Sequence, residues 1–399
     1  MSQTRAARRP STLPSLTGMR FLAALLVFLS HLSAAWMFTD QRINDDLTTY
    51  LGTLGYLGVS FFFILSGFVL TWSARDGDRA PLFWRRRLVK IYPNHCVTWI
   101  GGLALALLAG SAVSGREFLP GLFLVNAWVP EYAVVRGVNG PAWSLCVELV
   151  FYLCFPALLA LVKKIRPQHL WGWFGAVALG TVAVAALADA LLPQQDLPGL
   201  PYGWYQFWAV YFLPVTRLLE FVAGILLARI VLSGRRIPVS RTVAALTLIP
   251  GYLLTIHLPG SYGLVSACFL PMCLIVVTGA QGDIAGTPGP MGGRVMVWLG
   301  EISFAFYMVH MIVAYHGPVD HGSGNQWGTG EAVLRACAWF ALTLVFAWLL
   351  HRFVEVPAMR RWSRPKNRGR ATAAVPVQLS PMSPPPTQTP VRTSESTIN

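Results

Sequence analysis

Residues 53–72 read TLGYLGVSFFFILSGFVLTW, a predominantly apolar run that carries no charge. A helix needs about 20 such residues to cross the hydrocarbon core of a bilayer. Comparable runs, separated by short basic patches, recur from Leu16 to Val356. The sequence therefore predicts an all-α protein, a polytopic bundle of membrane-spanning helices.

The composition supports the same conclusion. Of the 399 residues, 54% are hydrophobic and only 12% are charged, whereas an ordinary soluble domain has about 25% charged residues. This mixture excludes a soluble enzyme, and it excludes disorder over most of the chain because disorder requires low hydrophobicity. The net charge of +14 would suggest a nucleic-acid partner in a soluble protein. Here the basic residues flank apolar runs, so we expect membrane lipids and no nucleic acid as partners.

The distribution of basic residues predicts an orientation. With both termini in the cytoplasm and about ten spans, 26 of the 31 Lys and Arg residues fall in cytoplasmic segments, as the positive-inside rule requires. The predicted spans are Thr17–Phe38, Thr53–Trp72, His95–Val113, Trp143–Val162, Leu170–Leu192, Phe207–Leu232, Thr242–His257, Tyr262–Ala280, Val295–His316 and Ala332–Phe353.

The two ends of the chain differ in character from the spans. We predict a basic cytoplasmic N-terminus over residues 1–16, a transmembrane domain over 17–356, and a cytoplasmic tail over 363–399. The tail is rich in Pro, Ser and Thr, a composition typical of disorder. The competing interpretation of the N-terminus is a secretory signal that ends at Ser33-Ala34-Ala35, whose cleavage would remove both Arg20 and His31.

Ionisable side chains inside apolar spans are costly to insert and therefore indicate function. Arg20 and His31 lie 11 positions apart, which places them on one helix face about 16 Å apart along the axis. Helical rise puts His31, Glu148 and His310 at similar depths. We predict that His31, Glu148 and Tyr307 or His310 converge on a cavity in the outer half of the bundle. The alternative for each residue alone is a hydrogen bond to a neighbouring span.

A second polar cluster follows the second span, where six basic residues lie between Arg75 and Lys90. If this segment is helical, Arg87 and Lys90 are three positions apart and can point at one anionic group. The alternative is that the charges set the topology and bind anionic lipid heads. In the sixth span, the spacing of Arg217 and Glu220 predicts an ion pair within the helix.

Seven short motifs together resemble the acyltransferase-3 family of integral membrane O-acyltransferases over residues 13–359. The resemblance rests on Leu16-Thr17-Gly18-Met19-Arg20 with R-x10-H spacing to His31, Gly58–Phe68, Arg86-Arg87-x-x-Lys90-Ile91-x-Pro93, Trp143-Ser144-Leu145 with Glu148, Arg217-x-x-Glu220-Phe221, Leu299–Phe304 with Tyr307 and His310, and Glu355-x-Pro357.

This resemblance implies transfer of an acyl group from a coenzyme A thioester to a hydroxyl, with His31 as general base and Arg20 as its paired basic residue. The family's R-x-x-R pattern ends here in Lys90, which keeps the charge but loses the bidentate fork. The catalytic set is His31 and Glu148, with Glu148 orienting the imidazole. The substrate-binding set is Arg20, Arg86, Arg87, Lys90, Trp143, Ser144, Tyr307 and His310.

Acyl-coenzyme A is then a co-substrate, with no permanently bound cofactor. Six cysteines without a C-x-x-C pair indicate neither a disulfide framework nor a zinc site, so no metal is predicted.

The acceptor is predicted from weaker signals. Residues 13–21 are similar to the subgroup that acylates macrolide antibiotics, which predicts transfer of an acetyl or other short acyl group to a macrolide or comparable secondary metabolite. Arg outnumbers Lys 27 to 4, a bias of high-GC genomes, and a bacterial cytoplasmic membrane is expected. O-acetylation of a cell-surface polysaccharide is the second candidate. A transporter, which would predict paired broken helices in two halves, is the candidate from another class.

Overall fold

The computed structural model describes residues 10, 12–75, 77–196 and 202–363. Residues 1–9 of the predicted basic N-terminus and 364–399 of the predicted tail lie outside the described residues. Within the described part the chain is helical and contains no strand, apart from two isolated bridges. The predicted all-α class is therefore confirmed.

The described α-helices are α1 Pro14–Ser33, α2 Gln41–Leu51, α3 Leu54–Ser73, α4 Ala80–Leu108, α5 Gly115–Leu122, α6 Tyr132–Arg136, α7 Ala142–Lys163, α8 Leu170–Leu191, α9 Trp204–Phe207, α10 Pro214–Leu232, α11 Arg241–Leu246, α12 Leu248–His257, α13 Tyr262–Ile284, α14 Arg294–His316, α15 Thr329–Leu350 and α16 Val356–Trp362. Two π-helical turns, Trp208–Phe212 and His351–Glu355, precede α10 and α16, and short 3-10 turns cover Asn126–Trp128, Pro167–His169 and Pro290–Gly292.

Eight helical segments of the described chain are long and apolar enough to cross a membrane. The other two predicted spans depart from this pattern for identifiable reasons. The segment around α10 contains Arg217, Glu220 and Arg229 and is interrupted by a π-turn before Pro214. The segment 242–257 is divided between two short helices, α11 and α12.

The third span begins earlier than predicted. Helix α4 is continuous from Ala80 to Leu108 and accommodates Pro93 in its interior. The basic run is therefore the first part of a membrane helix and is not a separate loop. This continuity fixes the direction in which each basic side chain leaves the helix.

Helix α1 packs between α3 and α14. Its contact with α14 is close because Gly300 has no side chain: a Cβ there would meet the carbonyl oxygen of Thr17 at 1.9 Å. Helices α3 and α10 approach in the same way, since a Cβ on Gly224 would meet the carbonyl oxygen of Ile64 at 2.0 Å. Glycine at these positions lets backbones touch, as is common between membrane helices. Burial of α1 inside the bundle favours its retention over removal as a signal.

The outer surface of the bundle is apolar. Leu108 is 84% exposed, Leu191 is 74% exposed and Leu179 is 72% exposed. A water-soluble monomer rarely exposes so much contiguous apolar surface. These side chains belong in the hydrocarbon of a bilayer, and the chain is a multi-pass membrane protein.

The two ends of the bundle are named by what they contain. The basic end is where α1, α4 and α14 begin and α3 ends. The histidine end is where α1 and α14 finish. At the histidine end, the loop after α14 is strapped to the residues after α1: the Trp327 amide donates to the Met37 carbonyl at 2.8 Å, and the Thr39 amide donates to the Trp327 carbonyl at 3.0 Å.

Candidate active site

A cavity of about 130 Å³ lies among α1, α3, α4, α7 and α14. Its apolar wall includes side chains of α3, and polar side chains converge on it from all five helices. The polar lining residues are Arg20, Ser66, Arg87, Lys90, Ser144, Glu148, Tyr152, Glu301, Ser303 and Tyr307. Such a mixture of apolar wall and convergent polar groups is typical of small-molecule sites.

Three of the four predicted basic residues line this cavity: Arg20 from α1, and Arg87 and Lys90 from α4. The Arg87 guanidinium stacks over the rings of Phe83, at 5.5 Å, and Tyr152, at 5.9 Å. Its buried Nε has no hydrogen-bond partner among the described residues. The stacking presents a cation to the cavity without neutralising it.

Arg86 turns away from this cavity. Its guanidinium pairs with Asp78 and lines a neighbouring cavity. Both Arg86 and Arg87 line that neighbouring cavity, but only Arg87 also lines the first one. The structure thus separates a pair that the sequence had grouped.

Glu148 lines the cavity from α7, where it accepts a hydrogen bond from the Tyr152 hydroxyl one turn away. Arg20, Arg87 and Lys90 are close enough to interact with its carboxylate electrostatically. No hydrogen bond joins Glu148 to His31 among the described residues, and the Nδ1 of His31 lies instead beside the Val27 carbonyl and His310. The role of Glu148 in orienting His31 stays a prediction.

Lys90 belongs to a buried network that was not predicted. Its ammonium pairs with Glu355 in the second π-turn, whose carboxylate also accepts from Asn94 Nδ2 at 2.8 Å. The Nδ1 of His351 lies 3.4 Å from the same carboxylate. The network joins α4 to the C-terminal π-turn and fixes the position of Lys90. Its sequence signal was the Glu355-x-Pro357 motif, which carried no assigned role.

The two histidines meet at the histidine end. The rings of His31 and His310 lie 5.0 Å apart, with His310 Nε2 3.3 Å from His31 Nδ1. His310 is 1% exposed, and the Trp339 indole donates to its carbonyl at 2.8 Å. His31 is half-buried.

Hydrogen-bond partners assign the tautomers of this pair. His310 Nδ1 lies 2.6 Å from the Tyr307 carbonyl oxygen, and a carbonyl only accepts, so this nitrogen carries the proton. His31 Nδ1 lies 2.9 Å from the Val27 carbonyl, so it also carries a proton and faces the lone pair of His310 Nε2. In the neutral ring, His31 Nε2 then keeps its own lone pair and can accept a proton.

Tyr307 stands between the cavity and the histidines. Its side chain lines the cavity, and its ring centroid is 5.7 Å from that of His310. The Tyr307 hydroxyl donates to the Pro141 carbonyl at 3.4 Å, and the Ser144 hydroxyl donates to the same oxygen at 2.9 Å. Of the residues predicted to converge on one cavity, Glu148 and Tyr307 line it, whereas His31 and His310 lie behind Tyr307.

Trp143 does not line the cavity. Its ring packs between Tyr211, at 4.9 Å, and Phe212, at 4.7 Å, within an aromatic cluster. In the same region Arg217 and Glu220 form the predicted ion pair at 3.0 Å, both 1% exposed.

Residues 13–352 match the acyltransferase-3 family, which is described as an acyltransferase domain. The chain belongs to the acyltransferase-3 family. This confirms the resemblance carried by the seven motifs, six of which lie within the matched range, whereas Glu355-x-Pro357 follows it.

Two relatives illustrate the breadth of the acyltransferase-3 family. The chain is 38% identical to the acyltransferase MdmB of Streptomyces mycarofaciens over 374 residues, which cover 91% of this chain and 95% of that protein. It is 24% identical to the peptidoglycan O-acetyltransferase OatA of Listeria monocytogenes, covering 86% of this chain and 55% of OatA. Among solved structures there is no significant match.

Proposed function

We propose that this acyltransferase moves an acetyl or other short acyl group from acyl-coenzyme A to a hydroxyl of a small molecule, in the bacterial cytoplasmic membrane. The observation that carries the proposal is a polar route, from the basic end along Arg20, Lys90 and Arg87 to Tyr307, which adjoins the His31–His310 pair. The distribution of basic residues supports a cytoplasmic location for the basic end.

The donor side of the reaction is assigned to the cavity. Arg20 and Arg87 supply positive charge toward an anionic donor, beside Lys90, which is paired with Glu355. Guanidinium groups suit phosphate oxygens. Glu148, held by Tyr152, lies among these cations. Its proposed role is accordingly to position them.

The chemical step is assigned to His31. Its free Nε2 accepts the proton of the acceptor hydroxyl as that oxygen attacks the thioester carbonyl. The carbon–sulfur bond then breaks, the leaving thiolate takes the proton back from the imidazolium, and an ester and free coenzyme A result. His31 returns to its neutral form, so no net proton is consumed.

Two neighbours support this step. His310 presents a lone pair to His31 Nδ1–H, which orients the ring and stabilises the imidazolium, in the way a carboxylate does in a hydrolase triad. The hydroxyls of Ser144 and Tyr307 lie at the inner wall of the route. They are the proposed donors to the oxyanion that forms on the attacked carbonyl.

The proposed acceptor is a macrolide or a comparable secondary metabolite, which rests on the resemblance of residues 13–21 to the macrolide-acylating subgroup. O-acetylation of a cell-surface polysaccharide is the second candidate, and the relationship to a peptidoglycan O-acetyltransferase favours it.

The test is transfer of label from radiolabelled acetyl-coenzyme A in membranes that contain the protein, with either a macrolide or purified cell-wall polysaccharide as acceptor. Membranes with the His31→Ala variant are the control. A labelled macrolide ester formed only by the native protein is the expected result. If label appears only on the polysaccharide, the second candidate acceptor is supported. If label crosses the membrane without forming an ester, a transporter is supported.

A further inference from the structure

A second and larger cavity, of about 470 Å³, opens at the basic end between α1, α14 and the C-terminal π-turn and α16. It shares Arg20, Lys90 and Glu301 with the first cavity. Its own lining includes His351 and Arg360. We call this second cavity the vestibule, and the shared residues make it the approach to the first cavity from the basic end.

The charges of the vestibule are not balanced by its own carboxylates. Lys90 is paired with Glu355, which cancels both. Arg20 and Arg360 form no ion pair with any described residue. Glu301 is therefore the one lining carboxylate set against two unpaired guanidinium groups, and an anionic ligand is favoured.

The sequence assigned Arg86 and not Arg360 to the substrate-binding set, yet Arg360 lines the vestibule and Arg86 does not. Arg86 is neutralised by Asp78 outside the route, whereas Arg360 is exposed at the rim of the vestibule. Its guanidinium has the planar fork that binds phosphate oxygens in pairs. Since Lys90 has lost that fork in the family motif, a further arginine on the same route compensates for it.

We propose that the vestibule binds the phosphorylated nucleotide end of the acyl donor, with Arg360 as the outermost phosphate ligand. The assignment rests on the proposed function, because it requires the thioester to reach the first cavity while the phosphates stay at the basic end. An anionic lipid headgroup carries the same phosphate chemistry, so the experiment must separate the two sources.

The neighbouring Arg361 provides a matched control. It lies on the same exposed helix with the same charge, but it lines an apolar groove against α4 and does not line the vestibule. Arg360→Ala and Arg361→Ala therefore remove equal charge from the same surface, and only one of them removes a side chain of the vestibule.

The experiment measures kcat and KM for acetyl-coenzyme A in liposomes of fixed composition. Arg360→Ala should raise KM about tenfold, the effect of losing about 1.4 kcal/mol of binding, with kcat unchanged. Arg361→Ala should leave both constants unchanged. Arg360→Lys should give an intermediate KM, and the increase caused by Arg360→Ala should shrink in high salt because charge interactions are screened. The unchanged kcat also shows that the variant is folded.

An unaltered KM in Arg360→Ala, or an equal increase of KM in Arg361→Ala, overturns the assignment of Arg360. In either case, turnover by the native protein still supports the proposed function. Repeating the assay in liposomes with and without anionic lipid tests whether a lipid headgroup supplies the phosphate that binds in the vestibule. If Arg360→Ala changes only the response of kcat to anionic lipid, the vestibule binds a headgroup and the nucleotide assignment fails. If the native protein transfers nothing from acetyl-coenzyme A, the proposed function itself fails.

Discussion

The basic end and the histidine end of this bundle differ in charge and in burial. At the basic end, two cavities with shared lining residues are lined by Arg20, Arg87 and Arg360, none of which forms an ion pair with another described residue. At the histidine end, His310 is buried among aromatic rings, with Phe28 and Trp339 at 4.5 Å from each other. The arginines that we propose to bind an anionic donor line open cavities, while the histidines that we propose to transfer a proton lie in a more buried, aromatic environment. Helix α1 connects the two ends, because it carries Arg20 at the basic end and His31 at the histidine end.

The sharpest test of this division is His31→Ala, which removes the proposed base and leaves the basic end intact. We expect transfer to fall by 10²- to 10⁴-fold, the usual range for loss of a general base, with normal insertion in the membrane. The measurement is kcat for acetyl transfer. His316→Ala, an exposed histidine at the end of α14, is the control and should be active.

His310 tests whether the histidine end works as a unit. His310→Ala removes the lone pair that faces His31 and should lower kcat by roughly 10- to 100-fold with little change in KM for the donor. His310→Gln supplies a side-chain oxygen as acceptor and should recover part of the loss. If both variants change KM and spare kcat, His310 contacts the substrate and does not position the base.

The basic end is tested by comparing two adjacent arginines. Arg87→Ala removes a guanidinium from the cavity and should raise KM for acetyl-coenzyme A about tenfold. Arg86→Ala breaks only the pair with Asp78 and should change KM less than twofold, since exposed ion pairs contribute little. Equal effects of the two substitutions would mean that net surface charge, and not the cavity, attracts the donor.

The smallest expected effect concerns His321, in the loop that covers the histidine end. Burial lowers the pKa of His321 to about 4, and the neighbouring His31 and Arg136 act in the same direction. An unfolded chain takes up this proton near the ordinary value of about 6.5, so the folded state loses stability as the pH falls from 6.5 toward 4. At pH 5 the loss is about 1 kcal/mol after allowance for partial exposure.

The corresponding measurement is the unfolding temperature in detergent at pH 7.5 and pH 5. His321→Gln cannot be protonated and should show a smaller decrease between the two pH values than the native protein. An unchanged decrease would show that other groups cause the acid sensitivity.

The positions along each helix were predictable from sequence, because helical rise and rotation are fixed. The shared face of Arg20 and His31, and the pair of Arg217 and Glu220, needed only spacing. Which helix lies beside another was not predictable, since depth along the bilayer normal says nothing about lateral neighbours. Glu148 was assigned to His31 on depth alone, yet Tyr152 at i+4 was a nearer partner that the spacing already offered.

The basic cluster shows a second limit of sequence reasoning. Arg86 and Arg87 are equivalent in a count of charges, and only the tertiary structure shows that Arg87 lines the first cavity while Arg86 does not. Arg360 and Glu355 lie more than 260 positions from Lys90, so their shared cavity depends on tertiary packing. The π-turns at Trp208 and His351 likewise arise from packing and have no periodic pattern.

The contact between His31 and His310 joins residues separated by 279 positions in the chain. During synthesis α1 is therefore among the first segments to leave the ribosome, while its partner α14 is among the last. A nascent or prematurely terminated chain holds an unpaired histidine within lipid until α14 inserts beside it. Under the proposed mechanism, the base acquires the neighbour that orients it only when biogenesis is nearly complete.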